Sequence, residues 1–294
     1  MKKNKITFKV LDVFIVLAII GIGLYIAYRL KVGLHYKWSW HIIPQYMLRY
    51  DEEAGRWIPN LLIEGLFTTI RLSIWGTILA AFFGTLMGLF RVSKSLFYRL
   101  IGRSYVELIR NMPPLVLILI FYFFVSDQIM PLLGVDNFIF SCSEGTRRFV
   151  KIFFAPPAYL SAFISAVVSL AIFEGAYITE IVRSGIQSVE KGQWEAASAL
   201  GFSKLQRMRY IILPQAIQRI LPPLAGQFIS LIKDSSIVSV ISIQELTFQG
   251  LELMAATYLT FEIWITIALL YLIITLTCSV AVSRLEIRMG RHYA

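Results

Sequence analysis

The sequence predicts an all-α integral membrane protein with about six transmembrane helices. Of its 294 residues, 57% are hydrophobic and only 16% are charged, whereas about 25% are charged in an ordinary soluble domain. The mean hydropathy is +0.69, and the apolar residues fall in runs close to the roughly 20 residues that cross a bilayer as a helix. These observations exclude a soluble globular enzyme.

Six apolar segments account for the predicted spans. The first, residues 13–28, ends in charged residues without a small-residue cleavage site, which favours a retained anchor helix over a signal peptide. The other five are residues 72–90, 113–125, 158–178, 211–232 and 263–282. We therefore divide the chain into residues 1–57, an extra helix with an outside segment, and residues 58–294, a five-helix membrane domain.

The basic residues predict the orientation. The formal charge of +10 would suggest nucleic acid in a soluble protein, but here lysine and arginine cluster between apolar runs, so no nucleic-acid partner is expected. When the segments between the predicted spans are assigned to alternate sides of the membrane, 18 of the 28 basic residues lie on the same side as both termini. Arg147, Arg148 and Lys151 lie on the opposite side. By the positive-inside rule both termini are cytoplasmic.

The most informative cytoplasmic segment is residues 187–214. Residues 195–200 are strong helix formers, and Gly201 permits a sharp turn. Phe202, Leu205 and Met208 then follow at helical spacing between basic residues, which predicts a short amphipathic helix. The pattern alone fits either a docking surface for a soluble partner or a helix lying in lipid headgroups.

One sequence pattern in this segment decides between these interpretations. Its residues are Glu195, Ala196, Ala197, Gly201, Leu213 and Pro214. Their spacing resembles the EAA signature of the permease subunits of bacterial ABC importers. The resemblance implies that the segment is a coupling helix inserted into a cleft of an ATP-hydrolysing subunit. It also implies a periplasmic solute-binding protein and a second permease subunit, identical or related, as partners.

Further segments resemble the polar amino-acid group of these permeases, which includes histidine, glutamine and arginine types. They are residues 60–74, 105–123, 176–201 and 233–246. The likeness runs from about residue 58 to the C-terminus and implies a multi-pass protein of the bacterial inner membrane that translocates a polar amino acid. Met112, Pro114 and the addition of residues 1–57 depart from the group's pattern.

Four ionisable residues in or beside spans are candidates for the substrate path, because charge in a bilayer is costly. Glu174 lies near the middle of the fourth span, where it either holds the amine of an amino acid or is a packing carboxyl. Lys233 and Asp234 follow a proline-rich span that we expect to be broken, and they form either a wall of the path or a simple ion pair. Arg71 precedes an uncharged run and either gates the path or snorkels outwards.

Three shorter patterns predict local contacts. Glu180 with Arg183, and Glu107 with Arg110, have the i, i+3 spacing of helical ion pairs. Gly84 and Gly88 form a GxxxG pair, which permits close helix packing either within the subunit or between two subunits.

Several motifs are missing from the sequence. It contains no GxxxxGK[ST] motif, so any ATP is used by a partner and no cofactor is expected on this chain. Its three histidines are widely spread, which predicts neither a metal site nor catalytic residues. We expect a transporter subunit rather than an enzyme. A gradient-driven secondary transporter, with membrane carboxylates relaying protons, is the alternative.

Overall fold

The computed structural model of the protein describes residues 10–33, 36–53 and 55–290. The chain divides into two compact units, Met1–His41 and Ile42–Ala294, and each is described by itself. Some of the basic residues that predict the orientation lie outside the described residues: Lys2, Lys3, Lys5, Lys9 and Arg291.

The first unit contains one long helix, α1 (Val10–Gly33). Its apolar part, Leu11–Ile26, is shorter than a full membrane span, and five longer apolar helices follow among the described residues. This matches the predicted five-helix core with one N-terminal helix added to it.

The second unit opens with a small hairpin that the sequence did not predict. Helix α2 (Ile43–Met47) leads into strands β1 (Leu48–Asp51) and β2 (Arg56–Pro59). The strands pair antiparallel, with Tyr50 opposite Trp57. The rings of these two residues meet edge to face at 5.6 Å, a cross-strand aromatic contact of the kind that stabilises short hairpins.

Most of the remaining described chain is helical. The helices are α3 (Leu61–Val92), α4 (Leu96–Arg110), α5 (Pro114–Phe124), α6 (Met130–Leu133), α7 (Val135–Ser141), α8 (Glu144–Phe153), α9 (Leu160–Gln187), α10 (Lys191–Ala199), α11 (Lys204–Arg207), α12 (Leu213–Asp234), α13 (Leu246–Thr257) and α14 (Thr260–Gly290). Five stretches are long and apolar enough to cross a membrane: Leu61–Val92, Pro114–Leu133, Pro157–Gln187, Lys204–Ile241 and Thr260–Arg284.

Helix α9 forms the centre of the bundle. In its most apolar stretch 72% of the residues are buried, against 33% or fewer in the other four spans. Helix α3 packs along it through small residues. A Cβ atom added to Gly84 would lie 2.6 Å from the Cβ of Ile178, and one added to Gly88 would lie 2.7 Å from the Cβ of Val182. The GxxxG pair therefore packs inside the subunit.

Helix α12 corrects the expectation of a broken span at its prolines. The helix runs from Leu213 to Asp234 through Pro222 and Pro223. An interior proline removes one backbone donor without always ending a helix, and here Pro223 is exposed and Pro222 half-buried, so their rings find room. The irregular turns lie at the two ends instead, as a π-turn over Met208–Ile212 and a 3-10 turn over Ser235–Ile241.

The close contact of α3 and α9 gives a first prediction. Gly84→Ala should lower the free energy of unfolding by about 1–3 kcal/mol, because the new methyl group overlaps Ile178 in a filled interface. Gly226→Ala, on α12, meets no atom within 4 Å and is the matched control. Thermal unfolding of both variants in detergent measures the difference; equal midpoints would contradict the packing of α3 on α9.

Candidate functional site

Helix α10 and the turn after it form the first half of the predicted coupling segment. The turn at Gly201 has φ +79°, a conformation that glycine adopts without strain. The amide N–H of Phe202 donates to the carbonyl of Ala197 at 3.1 Å, and that of Gly201 donates to Ser198 at 3.1 Å. This pair of bonds closes the C-terminus of α10 as a Schellman motif.

The second half of the segment, α11, is stabilised by a cap at its N-terminus and by contacts with α10. Ser203 and Gln206 form a reciprocal capping box at the start of α11. The guanidinium of Arg207 lies 5.5 Å from the ring centroid of Trp194 on α10 and donates a hydrogen bond to Ser198. Because these contacts join α10 to α11, the segment is an ordered structural element and not an irregular loop.

The residues of the EAA pattern differ in their exposure. Ala197 is buried, whereas Glu195 and Ala196 are exposed beside it. Leu213 is half-buried and Pro214 exposed where α12 begins.

The tip of the segment carries apolar side chains. Leu200 and Leu205 are each 76% exposed, one on either side of the Gly201 turn. Large exposed apolar groups on a rigid protrusion are typical of an interaction site. Met208, which the sequence pattern places on the same apolar helix face as Leu205, packs inward against the bundle instead.

A charged cluster lies near the same end of the bundle. Glu180 pairs with Arg183 at 2.7 Å, as the sequence predicts, and also with Arg91 of α3 at 3.0 Å. The side chains of Arg91 and Glu180 are only 18% and 19% exposed. Sequence spacing could not find Arg91, because it comes from another helix.

The predicted pair of Glu107 and Arg110 is wrong. Glu107 pairs with Arg103 at 3.1 Å, one helical turn before it. The guanidinium of Arg110 lies 5.2 Å from the ring centroid of Tyr177 on α9. A neighbouring aromatic face competes for an arginine that local spacing assigns to a carboxylate.

Glu174 is fully buried in the centre of the bundle. The amide of Gln227 on α12 donates a hydrogen bond to its Oε2 atom, and Asp234 is its electrostatic neighbour. Its Oε1 atom has no hydrogen-bond partner. The structure thus joins Glu174 and Asp234 and adds Gln227, which the sequence did not single out.

The other two predicted path residues lie elsewhere. Lys233 is exposed, and it forms none of the ion pairs found within 4 Å in the part of the chain that the structure describes. Arg71 lines a separate cavity of about 520 Å³. Gly175, next to Glu174 on α9, lies level with Ala80 of α3. Arg71 is nine residues before Ala80, so it lies about 13 Å from the level of Glu174, towards the N-terminal end of α3.

A second buried carboxylate, that of Glu245, is fully engaged. It accepts hydrogen bonds from the amide of Phe248 at 2.8 Å, the hydroxyl of Tyr271 at 2.8 Å and the hydroxyl of Thr69 at 3.3 Å. It caps α13 and ties that helix to α3 and α14. Because its donors all come from the fold itself, we interpret this carboxylate as structural.

Comparison with known proteins shows to which family the chain belongs. The profile of the family described as binding-protein-dependent transport system inner membrane component matches residues 55–291. The chain belongs to this family. This permease is 34% identical to a probable glutamine ABC transporter permease of Bacillus subtilis (strain 168), over 80% of its own length and 95% of the relative. It is 37% identical to a glutamine transport system permease of Escherichia coli (strain K12), over 78% and 93%.

The solved structures agree. A crystal structure of an amino acid ABC transporter with histidines has a chain that is 36% identical to the permease, with a TM-score of 0.61 over 78% of the permease and 94% of that chain. The permease is accordingly a multi-pass inner-membrane subunit of an ABC importer, a class that works with an ATPase and a binding protein. The gradient-driven alternative is not supported. The domain boundary at residue 57 stays a prediction.

The charged cluster of the permease gives a second prediction. Glu180→Gln should lower the free energy of unfolding by about 1–2 kcal/mol, because two half-buried arginines lose their shared carboxylate. Glu107→Gln is the control, since its pair with Arg103 is more than half exposed and should change stability by less than about 0.5 kcal/mol. Thermal unfolding in detergent compares the two; a larger loss in the control would refute the assignment.

Proposed function

We propose that this permease, paired with an identical or related subunit, carries polar amino acids inward across the bacterial inner membrane, while a separate ATPase subunit hydrolyses ATP. A solute-binding protein delivers the substrate outside. The names of its glutamine-permease relatives support the substrate class, and the missing P-loop motif supports an external motor. The permease itself needs no cofactor and carries no catalytic residue.

The observation that carries this proposal is the rigid, exposed tip between α10 and α11. Its base rests on the bundle, because Trp194 and Met208 pack against the cluster that contains Ile186 of α9 and Ile212 at the start of α12. A force applied at Leu200 and Leu205 is therefore transmitted to α9 and α12 together. These side chains fit an apolar cleft on the ATPase, with Glu195 at its rim.

The same two helices carry the substrate group. Glu174 lies on α9, and Gln227 and Asp234 lie on α12. The Oε1 atom of Glu174 is buried without a hydrogen-bond partner, and in this proposal it accepts from the ammonium group of an amino acid once the helices move apart. Movement of α9 against α12 changes the distance between these groups, and in this proposal it opens and closes the path as in alternating access.

The orientation follows from the same assignment. The coupling segment faces the cytoplasm, where ATP is, together with the cluster of Arg91, Glu180 and Arg183. Both termini then lie on the cytoplasmic side, in agreement with the excess of basic residues there. Helix α8, the hairpin and α13 lie towards the outside.

The coupling assignment predicts that Gly201→Val and Glu195→Lys each reduce ATP-driven uptake and the recovery of the ATPase with the tagged permease. Valine at φ +79° strains the turn by about 1–2 kcal/mol, and lysine reverses an exposed charge without disturbing the fold. Gly192→Ala in the same segment meets no atom within 4 Å and should behave as wild type. Normal uptake and normal ATPase recovery in both variants would overturn the assignment.

The substrate path predicts that Glu174→Gln lowers uptake at least about tenfold, since a neutral amide replaces the carboxylate that binds the ammonium group. The change preserves size, so recovery of the ATPase with the variant checks that the complex assembles. Wild-type uptake of every amino acid the importer carries would show that Glu174 is only a packing carboxyl.

A further inference from the structure

A cavity of about 290 Å³ lies where the end of α3, the first half of α4 and the end of α9 meet. Four of the residues that line it are arginines: Arg91, Arg99, Arg103 and Arg183. None of them belongs to the substrate group or to the coupling segment. No aspartate or glutamate of the described chain is among the lining residues, so the cavity concentrates positive charge at one end of the bundle.

Nearby acidic residues offset only part of this charge. Glu180 and Glu107 pair with three of the four arginines. Arg99 forms none of the ion pairs found within 4 Å among the described residues. Four guanidinium groups therefore share two carboxylates, and the difference of two positive charges makes the cavity attractive to an anion.

Two of the four arginines are held in place by the fold. Arg183 donates hydrogen bonds to Glu180 at 2.8 Å and to Gln187. The stem of Arg91 packs against α4, because a Cβ atom added to Gly102 would lie 3.0 Å from its Cγ atom. Each guanidinium carries five N–H donors, so donors remain after these contacts. Arginines that are positioned in advance bind phosphate oxygen atoms at a lower entropic cost.

Helix α4 also exposes an apolar face. Phe97, Ile101 and Leu108 lie on one side of the helix by their spacing, and Phe97 and Leu108 are 67% and 63% exposed. The helix connects two membrane spans, because α3 ends at Val92 and the next span begins at Pro114. An apolar face beside a basic one, on a helix that joins two spans, is typical of a helix lying at the membrane surface with its apolar side chains among the acyl chains.

We propose that this cavity binds the phosphate group of an anionic phospholipid, at the end of the bundle that carries the coupling segment. Basic pockets between membrane helices suit such headgroups. Arg99 and Arg103 of α4 donate to the phosphate oxygen atoms, and the acyl chains continue along Leu96 and Leu100, the two apolar residues of the lining. A soluble anion fits the charge of the cavity but not this apolar surface. The bound lipid joins α4 to the ends of α3 and α9, because all three helices supply arginines to the cavity.

Native mass spectrometry of the purified complex of the permease with its ATPase tests the site, with cardiolipin added in detergent as the anionic lipid. Arg99→Gln and Arg103→Gln should each weaken cardiolipin binding at least about tenfold, the effect of losing one charge-assisted contact. Lys94→Gln is the matched control, because Lys94 is an exposed positive residue just before α4 that does not line the cavity. This variant should bind cardiolipin as wild type.

Thermal unfolding of the same proteins separates lipid binding from structure. Without added lipid, Arg99→Gln and Lys94→Gln should unfold at the wild-type temperature, since both side chains are exposed. Cardiolipin should raise the unfolding temperature of the wild type and of Lys94→Gln by more than that of Arg99→Gln. Phosphatidylcholine, whose headgroup has no net charge, should affect all three alike. An equal response of all three to cardiolipin, or wild-type cardiolipin binding in both arginine variants, would overturn the inference.

Other occupants of the cavity give different results. Displacement of cardiolipin by inorganic phosphate at constant ionic strength would assign the cavity to a soluble anion. Cardiolipin binding to the permease alone, but not to its complex with the ATPase, would assign the cavity to the ATPase. Either result would refute the lipid site. A complex that binds cardiolipin as described but shows no ATP-driven uptake would refute the proposed function and leave the lipid site standing.

Discussion

The close approach of α3 and α9 is the contact on which the rest of the structure depends. Gly84 and Gly88 bring the two backbones so near that a methyl group cannot fit between them, and in a bilayer such packing supplies association energy that apolar burial cannot. Helix α9 in turn carries Glu174 in its middle and Glu180 near its end. Glu174, the charged cluster and the base of the α10–α11 segment are all positioned by this helix.

The two buried carboxylates of the bundle show how burial alone fails to define a functional group. Glu245 and Glu174 are both fully buried. Glu245 has three donors around it and caps a helix, so its desolvation is compensated within the fold. Glu174 accepts from one donor, the amide of Gln227, lies beside the carboxyl of Asp234, and has an Oε1 atom that is buried without a partner in the hydrogen bonds found. The two carboxylates thus differ in how far the fold satisfies them, and this difference is why we propose a functional role for Glu174 alone.

Several features were predictable from local patterns. The five membrane-length helices follow from runs of apolar residues, because a bilayer imposes a fixed length. The pair of Glu180 and Arg183 follows from helical spacing, and the turn at Gly201 follows from a residue that accepts positive φ. Local patterns failed where distant helices compete: Arg110 meets Tyr177 of α9 instead of Glu107, and α12 continues through Pro222 and Pro223 because the bundle leaves room for their rings.

The sequence by itself determined that the chain crosses a membrane, where its membrane-length helices lie, and which segment resembles a coupling element. These properties depend on composition and on residues near each other in the chain. Only the tertiary structure decided how the four ionisable path candidates group. In the structure Glu174 and Asp234 lie together with Gln227, and Lys233 is exposed. Arg71 lines a separate cavity. Contacts between helices far apart in the chain depend on packing, and no local spacing records them.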